Sequence, residues 1–159
     1  MTWGFSSNRL VKIQKRLLRI IKNSKYNAHT EPLFKLTGIL KITDLFDLCA
    51  LRFYYRYRHK TLPNHFYSFD LSYHCSSHQY QTRYRDQMRT YRTRTHLADK
   101  TLRKYIPDLI NSTPVGILDK IDTHCITGFS NYYKNFLIQN YSDECSIQNC
   151  YICHNSNYL

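Results

Sequence analysis

The stretch RLVKIQKRLLRII, residues 9–21, constrains the chain more than any other, because at 3.6 residues per turn it sorts into two opposed arcs. Leu10, Ile13, Leu17, Ile20 and Ile21 share one arc, with Val11 and Leu18 on its flank. Lys12, Lys15, Arg16, Arg19 and Lys22 gather opposite, and Arg9 stands at the edge. Ser6 or Ser7 suits the start of such a helix and Asn23 its stop. An ordinary surface helix mixes signs, since Glu and Lys four apart support it. Here six basic side chains fall within the first 22 residues and no acidic one precedes Glu31. Five like charges on one arc repel one another, so an anionic partner is expected there. The apolar arc is expected to dock on the helices that follow.

Those helices are readable from their punctuation. Thr30, Glu31 and Pro32 open a short one that Gly38 ends. Thr43 is expected to cap a longer one in TDLFDLCALRFYYRY, with Ile42, Leu45, Phe46, Cys49 and Phe53 as its stripe, widened by Leu48 and Leu51, and Pro63 to stop it. Residues 64–98 are the least regular. Phe69, Leu71, Tyr73 and Cys75 alternate with polar neighbours, a strand signal, and a run with five Arg and three Tyr follows without a period. From Asp99 helical patterns return. Pro107 is expected to kink or break DKTLRKYIPDLIN, Thr113 and Pro114 open the next helix, and Thr123 starts the last. The fold class expected is mainly α, with an irregular or short-strand middle and a Cys-rich tail. It divides as 1–62, 63–98, 99–141 and 142–159 within one structural domain.

Charge narrows the partners. The net charge of +12 is distributed as +10 over residues 1–60, +4 over 61–110 and −2 over 111–159. A polyanion site therefore belongs to the first two thirds. Fifteen Tyr and eight Phe are more than a solvated basic tail would carry, so the chain is expected to fold. No apolar run reaches the roughly 18 residues of a membrane span, and the start lacks the apolar core of a secretory signal. The reading is an intracellular protein, nuclear or cytoplasmic. A mitochondrial transit peptide would share the acid-free amphipathic start, but the first 22 residues hold only two Ser.

Candidate chemistry is sparse. Asp44 and Asp47 share a helix face, as do Asp119 and Asp122, and neither pair has the convergence from separate elements that two-metal catalysis needs. Asp44 and Asp47 suit a first helical turn, and Asp119 and Asp122 suit water. Four Gly form no phosphate loop, and no nucleophile elbow or zinc-protease helix is present. More telling are FYYRYRHK and RYRDQMRTYRTR, which interleave cations for phosphate with rings for unpaired bases. Arg83, Arg85, Arg92 and Arg94 are the candidates in the second; in the first, packed Tyr and snorkelling Arg are an equal reading. Cys145, Cys150 and Cys153 have the spacing of a partial zinc site, with His154, His124 or Cys125 as a fourth ligand; plain reduced thiols are the alternative.

The order of these signals resembles a known family. WG…NRLVKIQKRLLRIIKNSKYNAHTEPLFKLTGILKITDLFDLCALRFYYR…LP looks like the segment after the polymerase palm in non-LTR, LINE-type, Jockey-like retrotransposon reverse transcriptases. Its most specific parts are Ile13–Arg16 with Arg19–Ile21, and His29-Thr30-x-Pro32-Leu33-Phe34. LRKYIPDLIN, THCITGFSNYYKNFLIQNY and the closing cysteines resemble the C-terminal end of the same proteins, so the likeness covers nearly the whole chain. It implies a thumb-like and tail region that holds an RNA or DNA template and primer, with the rest of the polymerase as a partner. The family's aromatic-x-Asp-Asp turn is absent, so no catalytic residue is carried over and the chain alone is expected not to polymerise. Because Met1 falls inside the family pattern, the resemblance implies a truncated or degenerate copy. The rival reading is a basic module, without enzymatic activity, that binds a protein or membrane surface and has a zinc-stabilised tail.

Overall fold

Seven α-helices follow one another in the computed structural model, which describes residues 8–77, 80–99 and 101–142. They are α1 (Asn8–Ile21), α2 (Glu31–Thr37), α3 (Ile42–Arg58), α4 (His96–Asp99), α5 (Leu102–Ser112), α6 (Val115–Thr123) and α7 (Ile126–Gln139). The expectation of a mainly α chain holds. The Cys-rich tail lies outside the described residues, as do Ser6 and Ser7.

The helix stops were legible because left-handed backbone favours few residue types. Asn23 takes φ of 48° after α1, and the amides of Asn23 and Ser24 close onto the carbonyls of Ile20 and Arg19. Gly38 does the same after α2 with φ of 63°, its amide bonding Lys35 O at 3.1 Å and that of Ile39 bonding Phe34 O at 3.3 Å. Lys60, unanticipated, plays that part after α3 with φ of 55°.

α3 is the central helix. It packs against α1, α5 and α7 through Phe46, Leu48, Ala50, Leu51 and Tyr54, all buried. Ala50 and Leu51 have no exposed surface. The buried set is rotated from the expected stripe: Leu45 is exposed, and the helix begins at Ile42 after Lys41 rather than under a Thr43 cap. One core cluster runs from Leu18 through Phe34, Leu51, Ile106, Ile110, Ile121 and Phe129 to Tyr141. Tyr141 ties the segment just after α7 to the α2–α3 junction. Its hydroxyl accepts from the Lys41 amide at 3.0 Å and donates to the Asp44 carboxylate, while Lys41 lies over its ring.

Three further expectations are corrected. No strand forms among the described residues: the alternating segment becomes 3-10 turns at Asn64–Phe69 and His74–Ser76, with a single antiparallel bridge between Tyr73 and Met88. Of the alternating set only Leu71 is buried, and a strand without a ladder partner has nothing to hold it. Pro107 does not break α5. It sits buried inside a continuous helix, and Arg103, whose carbonyl loses a donor, is on the exposed side. Thr123 ends α6 rather than starting α7, which Cys125 caps by accepting the Gly128 amide on its sulfur at 3.4 Å.

Candidate nucleic-acid interface

α1 lies along α2 and α3 on a narrow line of contact. Leu18 is its buried residue, Val11 is half-buried beside it, and Gln14 completes the stripe. The Gln14 amide nitrogen donates to Leu40 O at 2.7 Å, and its oxygen accepts the Ile42 amide at 3.0 Å. Two part-buried backbone groups between α2 and α3 are thereby satisfied by one side chain, which fixes the rotation of α1. That rotation overturns an expectation. The apolar arc does not dock on the following helices; Leu10, Ile13, Leu17, Ile20 and Ile21 are 40 to 67% exposed.

The cationic arc faces water over most of its length. Lys12, Lys15, Arg16 and Lys22 are exposed, and Arg19 is half-buried because its Nε donates to Ala28 O at 2.8 Å. Lys15 also lies near enough to Glu31 to help hold that carboxyl below its ordinary range, after the larger effect of the Lys41 ammonium bonded to it. Where α1 ends, Arg16, Arg19, Ile20, Asn23, Ser24 and Tyr26 line an open groove of about 360 Å³. Tyr26 is 86% exposed, so a flat ring stands beside two guanidinium groups. Sequence reasoning passed over Tyr26. Its signal was the pairing of Lys25 with Tyr26 directly after the helix stop, the same cation–ring alternation read elsewhere.

The two Arg–Tyr segments separate clearly. In FYYRYRHK the rings serve the fold. Tyr54 is buried with its hydroxyl 3.1 Å from that of Tyr73, Tyr55 donates to His124 O at 2.9 Å, and Tyr57 accepts the Leu71 amide at 3.3 Å. Arg58 pairs with Asp122 at 2.8 Å, linking α3 to α6. In the second segment the rings at the tip are presented instead. Tyr80 and Tyr84 are exposed, as are Arg83, Arg92 and Arg94, while Arg85 is half-buried. The base of this segment is pinned by Met88, which is buried. Its amide donates to Asn111 Oδ1 at 2.7 Å and its carbonyl accepts from Asn111 Nδ2 at 2.9 Å. Tyr91 adds a bond to Asp70 O and carries the Arg103 guanidinium 4.2 Å above its ring. The cations of α1 therefore rest on α2 and α3, and those of the Arg–Tyr segment rest on α5 through Asn111.

The two carboxylates of α3 are committed to phenols. Asp47 accepts from Tyr105 and Asp44 from Tyr141, which ties α3 to α5 and to the chain beyond α7. Burial pushes the Asp47 carboxyl up despite that bond, with the Asp44 charge adding to it. Burial likewise pushes the phenols of Tyr105, Tyr133 and Tyr141 well above their ordinary range. Asp119 is exposed. Cys145, Cys150, Cys153 and His154 lie outside the described residues. Among the described residues no group of three His, Cys, Asp or Glu is placed to hold a metal ion. Cys125 is exposed, and its thiol is lowered by the hydrogen bond with Thr127 and then by the Gly128 amide. No described helix is long and apolar enough to cross a membrane.

Comparison with family models, curated proteins and solved structures finds no match for this chain.

Proposed function

We propose that this chain is a C-terminal, thumb-like portion of a LINE-type reverse transcriptase that holds nucleic acid and does not polymerise by itself. The observation that supports this most is the cationic arc of α1. Lys12, Lys15, Arg16 and Lys22 stand exposed along one side of a 14-residue helix, with Arg19 among them and an exposed tyrosine at its end. A phosphate track running along the helix would meet several of these charges, and Tyr26 would offer its ring to an unpaired base. Arg83, Arg92 and Arg94, with Tyr80 and Tyr84, would extend the contact on a second support. The family assignment itself rests on the sequence resemblance.

The test is affinity for a primer–template duplex measured against salt. Each neutralised phosphate contributes a log–log slope of about −0.9 on duplex and −0.7 on a single strand. Changing Lys12, Lys15, Arg16, Arg19 and Lys22 to Gln should flatten the slope by roughly 2 to 4.5. Helix propensity changes little, and although Arg19→Gln gives up the bond to Ala28 O, the helix should remain by circular dichroism. A folded variant that keeps the original slope would remove this arc from nucleic-acid binding.

On the same reading Cys145, Cys150 and Cys153 would hold zinc as thiolates, with His154, His124 or Cys125 as the fourth ligand. Metal analysis of protein purified without chelator should find one zinc per chain, lost in Cys150→Ser. Zinc well below one per chain, or unchanged in that variant, contradicts the assignment.

The rival reading gains one observation. A binder of protein or lipid needs an exposed apolar surface, and α1 has one.

A further inference from the structure

The exposed apolar arc of α1 has its own spacing. Leu10, Ile13, Leu17 and Ile20 are separated by three, four and three residues, the a and d positions of a heptad repeat, and Ile21 widens the seam. All five are exposed, although the helix they belong to is docked on the core by Leu18. Stepping round the helix, one flank of the seam is Gln14, closed against the body by its bonds to Leu40 O and Ile42 N. The other flank is Arg9 and Arg16, the g positions of that heptad, both exposed.

We infer that this seam is the docking site for an amphipathic helix of another protein element whose apolar stripe is bordered by acidic side chains. Its apolar stripe would cover Ile13, Leu17 and Ile20, and its carboxylates would meet Arg9 and Arg16. Charge selects this occupant. A second copy would bring one chain of net charge +12 against another, with the same arginines at the seam. Nucleic acid gains little from five aliphatic side chains that offer neither a stacking ring nor a donor. A flat lipid surface would need the seam open on both flanks, and the body closes one. A helix about 10 Å across needs only the strip between the body and the arginines. The seam shares Arg16 alone with the cations assigned to phosphate, so Ile13→Asn with Leu17→Asn, which leaves every cation in place, tests the inference apart from the nucleic-acid reading.

The probe is a synthetic helical peptide of about three heptads with Leu and Ile at a and d and Glu at e and g, beside a twin carrying Lys at e and g. Like charges keep either peptide from pairing with itself. Fluorescence anisotropy with the full chain should show the acidic peptide binding about tenfold tighter or better than its twin. Ile13→Asn with Leu17→Asn should weaken it at least about tenfold with circular dichroism unchanged. Arg9→Glu with Arg16→Glu should reverse the preference between the two peptides. Equal binding of both peptides, or binding indifferent to the Asn pair, overturns the proposal. So does capture on phosphatidylserine vesicles through Ile13 and Leu17 without peptide binding, which would make lipid the occupant. Self-association through the same side chains would make it a second copy and also overturn the proposal.

Discussion

α1 and α3 are both built from an apolar stripe and a set of cations, yet the fold uses them in opposite ways. α3 is enclosed by α1, α5 and α7, and Phe46, Ala50, Leu51 and Tyr54 all disappear into the core. Among the described residues α1 packs chiefly on α2 and α3, and the line of contact runs through Leu18 and Gln14 rather than through the richest apolar arc. A helix enclosed on several sides buries whatever apolar surface it has. A helix at the margin buries one line, and a polar side chain with two backbone partners can decide which line that is. The aliphatic arc of α1 is then left exposed, as are most of its cations.

That difference can be attacked first at Gln14. Truncating Gln14→Ala leaves Leu40 O and the Ile42 amide, both part-buried, without their partner, and should destabilise the chain by about 1–3 kcal/mol. Ile13→Ala, one residue away and exposed, should stay within about 0.5 kcal/mol. Urea titration of both variants reads the contrast. Equal losses would mean that α1 is seated by its aliphatic arc.

A smaller effect sharpens the α3 side. Asp47 has its folded pKa raised by burial above the ordinary 3.8, so the folded state binds more protons than the unfolded one between those two values. Stability therefore falls as pH rises through that window, and the full penalty is present at neutral pH. Asp47→Asn keeps an acceptor for Tyr105 and removes the charge. Its melting temperature should exceed the parent's at pH 7, and the gap should close as pH falls below about 3.8. A gap independent of pH would mean that the Asp47 charge is not what the variant relieves.

The sequence made much of this legible, and the limits have physical causes. Helix existence and stops were readable because 3.6-residue periodicity and left-handed residues such as Asn23 and Gly38 are local properties. Burial is not local. Periodicity says that Leu10, Ile13 and Leu17 share an arc, but not that a neighbour covers it. The alternation of Phe69, Leu71, Tyr73 and Cys75 was equally local, and only one bridge formed because the facing segment is held by Met88 and Asn111 rather than by a ladder. The Met88–Asn111 clamp joins residues 23 apart and carries no sequence signature. The cationic arc was fully readable, since charge on a helix face needs no tertiary partner to be seen. Tyr26 was missed because a single ring in a loop has no period.

Adjacent leucines in α1 give the most direct test of how this helix is seated. Leu17 is 52% exposed and Leu18 is 2% exposed, so residue type, helix and neighbourhood are held constant while burial changes. Denaturant unfolding of the two alanine variants should give a loss of roughly 2–5 kcal/mol for Leu18→Ala and within about 0.5 kcal/mol for Leu17→Ala. Losses of similar size, or a larger one at Leu17, would place the aliphatic arc in the core and contradict the account.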